Sequence, residues 1–389
     1  MCTIVTISKS GEVWAGNNED FSEPRTKIWF FPATQHKYGR AYVGFDRYFD
    51  PYQGGMNEAG LFLDMNAVNP TGWQPDPNKP TFNGCIIDHV LSYCGTVEDV
   101  VDFFGHYNVP LDNVRVPVAD ANGQSVIIEW AHDKIQFVYK QGDYQISTNY
   151  VQSNYERLED YPCQRYRIAD RILKTADEAD VNIVRAVLSA THFEFLAQTL
   201  YSNICDLKRK RIYLYHFHNF EEVVVFDLNE ELKKGEAEYP IPSLFSTQPF
   251  SAHLYSQIGP QVGARDLMAI IETEGIQEGL KQFHSMQNQS RTINRYLFEE
   301  WILRDLGFSL LHEEKVEEAL EIFKLAVEMY PDCWETYDNL GEVYRLLGDN
   351  GNAAECYRKV LEIDPGNANA SNMLKALSKT DLPVNQSMG

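Results

Sequence analysis

The spacing of apolar positions changes about two-thirds of the way along the chain. From position 2 to about 245 they come in short, strand-like runs bounded by turn residues, the pattern of sheets covered on at least one face. Strands are expected at 2–7, 13–16, 26–31, 40–45 and 60–66, with Ser8, Lys9, Ser10 and Gly11 turning the first into the second. Asn122-Gly123 between the apolar runs 116–118 and 126–128 is a hairpin signal. Strands at 212–215 and 223–226 close the set, and helical spacing predicts helices around 84–93, 96–106, 164–175 and 181–190. Ser147-Thr148-Asn149-Tyr150 reads as the end of a further strand. From about 263 onward the spacing is helical throughout.

The helical part repeats itself. Leu306 and Leu340, Gly307 and Gly341, Ala319 and Ala353, Phe323 and Tyr357, and Pro331 and Pro365 each stand 34 residues apart. That period and those residue types resemble the tetratricopeptide repeat. The Leu-Gly pair lets two helices approach closely, Ala is the small contact on the second helix, and Pro ends it. Two repeats cover about 299–366. Gln277, Glu278, Gly279, Leu280 and Phe283 look like part of an earlier, degenerate unit, and Leu374 and Leu377 suit a capping helix. The expected organisation is a domain over 2–245, a linker over 246–262 rich in turn residues, a helical domain over 263–379 and a frayed tail over 380–389.

With 389 residues, 44% of them hydrophobic, the chain has material for two cores. It contains no apolar run long enough to span a membrane. No signal-peptide pattern follows Met1, so a cytoplasmic location is expected, or an exported one if a leader stood ahead of Met1. The net charge of −22 argues against nucleic acid as a partner. The single basic run, Lys208-Arg209-Lys210-Arg211, reads as a turn before a strand. Seven cysteines without a CxxC pair indicate neither a zinc site nor a disulfide framework. His216 and His218 alternate on an expected strand, but no third ligand has convincing spacing, so neither metal nor cofactor is expected. Asp120-Ala121-Asn122-Gly123 is too short for a calcium loop and reads as a turn.

Candidate chemistry gathers around Cys2. Removal of Met1 would leave a thiol and a free α-amine on one residue. An α-amine titrates at roughly 7.7–8.0, so at physiological pH part of it is neutral and can accept the thiol proton. A first-to-second-strand hairpin would bring Asp20, in Gly16-Asn17-Asn18-Glu19-Asp20-Phe21, back towards Cys2. Asn57-Glu58-Ala59-Gly60-Leu61, Asn66, Thr148-Asn149 and Arg165-Tyr166 follow in order, with Thr199-Leu200-Tyr201-Ser202 and Cys205-Asp206-Leu207 later.

In their order and spacing these motifs resemble the choloylglycine hydrolase and penicillin V acylase group of N-terminal nucleophile hydrolases, with acid ceramidase and isopenicillin acyltransferase relatives nearby. The resemblance covers roughly 2–245. It implies an α+β chain: an αββα sandwich followed by the all-α tetratricopeptide-like domain. It also implies a cysteine amidohydrolase that cleaves a linear, non-peptide carbon–nitrogen amide bond through an acyl-Cys2 intermediate. In that scheme Asp20 orients the amine, Asn66 and Asn149 line an oxyanion hole, and Arg165 lies near the thiol and favours the thiolate. Members of the group usually carry Arg where this chain has Asn17, and that Arg contacts the nucleophile. Arg25 or Lys27 would have to compensate. Two alternatives stand beside this reading: a catalytically silent homologue that binds a protein through its repeats, and an acyltransferase using the same site. The expected partners are a small acyl amide and, through the repeats, a protein or a second copy. The acyl group is not legible. Trp29, Phe30, Phe31, Tyr48, Phe49, Tyr52 and Trp73 would serve either an acyl pocket or ordinary packing.

Overall fold

The computed structural model describes residues 2–21, 25–46, 51–157, 161, 163–194, 198–249, 252, 264–293 and 300–380. Two compact units divide the chain, the second being Ile258–Gly389. In the first, the strands in chain order are β1 (Cys2–Lys9), β2 (Glu12–Phe21), β3 (Thr26–Phe31), β4 (Arg40–Phe45), β5 (Tyr52–Asn57), β6 (Phe62–Asp64), β7 (Asn66–Ala67), β8 (Val114–Ala119), β9 (Ser125–Ala131), β10 (Lys134–Tyr139), β11 (Tyr144–Ser147), β12 (Gln198–Asp206), β13 (Arg211–His216), β14 (Asn219–Asp227) and β15 (Ala237–Pro240). The helices that cover them are α1 (Ile86–Tyr93), α2 (Val97–His106), α3 (Gln164–Lys174) and α4 (Val181–Thr191).

Among the described residues one sheet runs β11-β1-β2-β12-β13-β14 and the other β10-β9-β8-β6-β5-β4-β3-β15, with β7 beside β8. Strand alternation divides the side chains of β1 and β2 between two cores. Ile4, Val13 and Ala15 face the second sheet, where Ile28, Phe30, Val43 and Met56 meet them. Val5, Ile7 and Trp14 face α3 and α4, packing on Tyr166, Leu173, Val184 and Leu188. The outer face of the second sheet, through Tyr42, Leu63, Val116 and Val126, is covered by Ile87, Val90, Val100 and Phe104 of α1 and α2. The result is four layers, αββα. Burial on both faces is why the apolar residues of β1, Ile4 on one face and Val5 and Ile7 on the other, do not alternate with polar ones.

The β1–β2 turn sets the register on which the site depends. Ser10 and Gly11 take φ of 53° and 84°, the two positive angles of a two-residue hairpin turn. That turn places Cys2 opposite Glu19 and Thr3 opposite Asn18.

The strand expected over 60–66 is broken. Asn57 Oδ1 accepts the backbone N–H groups of Ala59 and Leu61, Gly60 has φ of +85°, and pairing resumes only at Phe62. The basic run is a turn, with Lys210 at φ of 55°. Asp120 Oδ1 caps the Asn122-Gly123 turn by accepting from Asn122 and Gln124. Of the aromatics offered for an acyl pocket, Trp29 and Phe30 are core, and Phe31, Tyr52 and Trp73 pack against it. Tyr48 and Phe49 lie outside the described residues, as does most of the stretch expected as a linker and residues 381–389 of the expected tail.

The second unit is helical wherever it is described. Its repeat helices are Glu300–His312, Val316–Met329, Trp334–Leu346 and Asn350–Ile363, followed by Ala368–Thr380. The small residues do what their period suggested. A Cβ at Gly307 would lie 2.4 Å from the Phe323 ring, and one at Gly341 would lie 3.1 Å from the Tyr357 ring. Ala319 and Ala353 are buried, and Leu377 with Leu374 closes the last cluster against Tyr357 and Val360.

Candidate active site

Alternation along the first hairpin sorts the site residues onto two sides of one sheet. Thr3, Asn18 and Asp20 turn towards α3 and α4, where Asn18 donates to Leu188 O. Cys2, Asn17 and Glu19 share the opposite face, towards the second sheet.

On the helix side a chain of charge-assisted bonds leads to the first strand. The Cys2 nitrogen donates to Asn149 Oδ1 at 2.9 Å. The same oxygen accepts from Arg165 Nη2 at 2.8 Å, while Arg165 Nη1 donates to Asp20 Oδ2 at 3.0 Å and to Thr3 Oγ1 at 3.2 Å. Thr199 donates to the other Asp20 oxygen at 2.5 Å. Burial pushes the Asp20 carboxyl up to about 7, with the Thr199 hydroxyl and the Arg165 cation pulling the other way. Cys2, Asp20, Asn149 and Arg165 are thus brought together.

Asn66 approaches from β7. Its Oδ1 accepts from the Ser147 hydroxyl, and its Nδ2 is buried without a partner. One Asn149 Nδ2 hydrogen goes to Ala67 O at 2.8 Å, so the Asn149 amide also ties β7 to the strand end. A buried donor left unpaired costs about 1–3 kcal/mol. Such an orphan is the form in which a donor waits for an oxyanion.

The sulfur has a different neighbourhood from the one expected. Cys2 Sγ lies 3.5 Å from Glu19 Oε1. Burial first, and the Glu19 charge second, push the thiol well above its ordinary range. Arg165, expected to favour the thiolate, spends its guanidinium on Asp20, Asn149 and Thr3 because it arrives from the helix side of the sheet. Lys27 does not compensate for Asn17, since it pairs with Asp46 and Glu238. Asn17 donates instead to Glu19 Oε2 at 3.3 Å, and Tyr201 reaches the same oxygen at 3.5 Å. Behind them Asp64 is fully buried, and burial with the Glu19 charge raises its carboxyl well above the usual range. Gly54, opposite Asp64 on β5, makes the room: a Cβ there would stand 2.3 Å from Asp64 Oδ2.

Several of these residues escape a reading by motif. Glu19 was readable from register alone, because a two-residue turn at 10–11 sets it opposite Cys2. Thr199 and Tyr201 face opposite sides of the sheet because β12 bulges between them, which a period-two reading misses. Arg115 and Glu129 form a fully buried ion pair at 3.0 Å. Arg115 also donates to Thr148 O and Tyr150 O, and Glu129 accepts from Gln152 N and Ser153 N, so the pair clamps the segment that carries Asn149. Their distance in sequence from Cys2 hides that function.

Asn149 and Arg165 form part of the wall of a cleft of about 730 Å³, with Ala67, Tyr150, Ile168, Thr191 and His192. Cys2 stands one hydrogen bond behind that wall.

Layered sheets of this kind, opened by a cysteine on the first strand, make the αββα sandwich of N-terminal nucleophile hydrolases. Residues 7–215 match the family model described as acyl-coenzyme A:6-aminopenicillanic acid acyl-transferase. The match spans more than half the chain, and the chain belongs to that family. It is accordingly an enzyme of that family, built on the N-terminal nucleophile hydrolase fold. Residues 298–366 match a tetratricopeptide repeat model. No curated protein matches. Among solved structures, two variants of the conjugated bile acid hydrolase from Clostridium perfringens superpose with TM-scores of 0.52 and 0.51, at 16% and 17% identity, each over 64% of this chain and 100% of the other. Penicillin V acylase from Agrobacterium tumefaciens superposes with a TM-score of 0.49, at 18% identity, over 61% of this chain and 90% of that one. The likeness to the two bile acid hydrolase structures is one of fold.

Proposed function

We propose that the chain is a cysteine amidohydrolase whose nucleophile is Cys2 and whose general base is the α-amine of the same residue once Met1 has been removed. The hydrogen bond from the Cys2 nitrogen to Asn149, braced by Arg165 and the buried Asp20, carries this reading. With Met1 removed, the same bond would fix the direction of the amine and leave its lone pair for the thiol.

In the first step the α-amine takes the Sγ proton as sulfur adds to the amide carbon. Asn66 Nδ2, with the remaining N–H of Asn149, meets the developing oxyanion. The carbon–nitrogen bond then breaks and the α-ammonium returns the proton to the leaving amine, forming the acyl thioester. A water molecule, deprotonated by the same amine, attacks the thioester, releases the carboxylic acid and restores the thiol. Burial and the Glu19 charge make the thiol a poor acid, so the intimate amine–thiol pair is what supplies the nucleophile. The hydrolase domain is proposed as 2–245, with the repeats in a separate helical domain over 263–379 suited to a protein partner.

The family description favours one second reading, in which an amine acceptor replaces water in the last step. The test is a panel of acyl amides, including phenoxyacyl, bile-salt and N-acyl amino acid types, with mass spectrometry of the Cys2 peptide. An acyl adduct on Cys2 that decays to free acid supports hydrolysis. Decay to a new amide when an amine is supplied supports transfer. Turnover of any panel member without an adduct on Cys2, even after rapid quenching, would count against both.

A further inference from the structure

A second cluster reaches the cleft wall through His192 but takes no part in the steps above. His192 follows the end of α4, Glu194 lies two residues on, and His218 sits in the turn between β13 and β14. The expectation that His216 and His218 project alike from one strand fails here. β13 ends at His216, Phe217 has φ of 56°, and the two imidazoles part. His216 meets Gln248, whereas His218 turns to the segment after α4.

The ligand atoms of His192, Glu194 and His218 all lie within 4.8 Å of one another. His192 Nδ1 stands 2.5 Å from Ser189 O, and a carbonyl oxygen only accepts, so that nitrogen carries the proton. Nε2 of the same ring then faces Glu194 Oε1 at 2.5 Å. Two lone pairs do not approach so closely unless a cation stands between them, and the cation is either a second proton or a metal ion. His218 adds the distinguishing feature. Its Nδ1 lies 3.8 Å from the same carboxylate oxygen, and its Nε2 is buried with no partner.

We infer that His192, Glu194 and His218 form a binding site for one divalent transition-metal ion of the zinc class, held by two imidazoles and a carboxylate with a further position open to the cleft. In a tetrahedral site with bonds of about 2.0–2.1 Å the ligand atoms stand roughly 3.3 Å apart. Glu194 therefore withdraws slightly from His192 and closes on His218. Its side chain is 61% exposed and has the freedom to do so. The Ser189 carbonyl plays the part of the outer hydrogen-bond acceptor that fixes the tautomer of a metal-bound histidine. Because His192 also lines the cleft with Arg165 and Asn149, an ion there would face an oxygen of whatever the cleft holds.

The test is calorimetric titration of the full chain, stripped with a chelator, with Zn²⁺ alone, followed by Co²⁺ absorption. One ion should bind per chain. The Co²⁺ spectrum should show nitrogen and oxygen ligands without a thiolate charge-transfer band. His192→Ala and His218→Ala should each weaken binding by more than the roughly 10–100-fold that loss of a supporting group alone costs. Glu194→Gln, on an exposed side chain, should weaken it too and covers the case in which a histidine variant fails to fold. Wild-type affinity equal to that of Glu194→Gln, or a thiolate band, overturns the inference. The binding readout is independent of whether Cys2 is a nucleophile.

Discussion

Glu19→Gln isolates the electrostatic argument at the sulfur. Gln is isosteric, and its carbonyl oxygen can keep the place of Oε2 against Asn17 and Tyr201 while its amide nitrogen faces Sγ. The variant removes one negative charge 3.5 Å from the thiol. Two unit charges about 4 Å apart at an effective dielectric near 20 interact by about 4 kcal/mol, an upper bound before the pocket relaxes. The thiol should therefore titrate at lower pH in the variant than in wild type. The assay is the pH dependence of iodoacetamide alkylation, followed on the Cys2 peptide by mass spectrometry so that the other cysteines do not interfere. At fixed neutral pH the variant should alkylate faster than wild type. An unmoved midpoint would refute the reasoning and mean that the Glu19 carboxyl carries no charge when the thiol titrates.

Asn66→Ala should lower kcat by about 10²–10³ with little change in KM, because it deletes an oxyanion donor. Steady-state kinetics on a panel substrate checks the split. For Asp20 the folded pKa of about 7 lies above its ordinary value, so its contribution is full below about pH 4 and is lost as pH rises through 7. Urea unfolding across that window should show wild type losing at most about 4 kcal/mol relative to Asp20→Asn, a difference that should flatten above pH 7. Gly307→Ala should destabilise the helical unit by about 1–3 kcal/mol, since its methyl would collide with Phe323. Gly341→Ala, with more room at Tyr357, should lie near neutral once the helix-propensity gain of roughly 1 kcal/mol is included, and thermal melting by circular dichroism separates the two.

The layers and the helical repeats were legible because they rest on period. Strand runs and a 34-residue spacing survive in sequence whatever the tertiary detail, and the helices covering the sandwich lie within about two residues of their expected ends. The Asn57–Gly60 turn was not, because a side chain competing for backbone N–H groups interrupts a run that looks like strand. In the site, Asp20, Asn66, Asn149 and Arg165 were reachable as motifs, but their directions were not. Alternation sends Asp20 to the helix face, where Arg165 of α3 meets it, and leaves Glu19 and Asn17 on the same face as the sulfur. The bulge at Thr199–Tyr201 depends on one extra residue in a strand, and the buried Arg115–Glu129 clamp on bonds between segments 23 to 35 residues apart. The alternation of His216 and His218 was misread for a related reason: the strand ends at His216, and Phe217 turns with a positive φ before His218.

The claim that everything else serves is that sulfur and amine of Cys2 act together. Intact-mass analysis of the natural protein, paired with turnover by Cys2→Ala, tests it most directly. The account predicts a mature chain lacking Met1 and a folded Cys2→Ala variant with no turnover. An active chain that retains Met1, or a Cys2→Ala variant that still cleaves the amide, would contradict it.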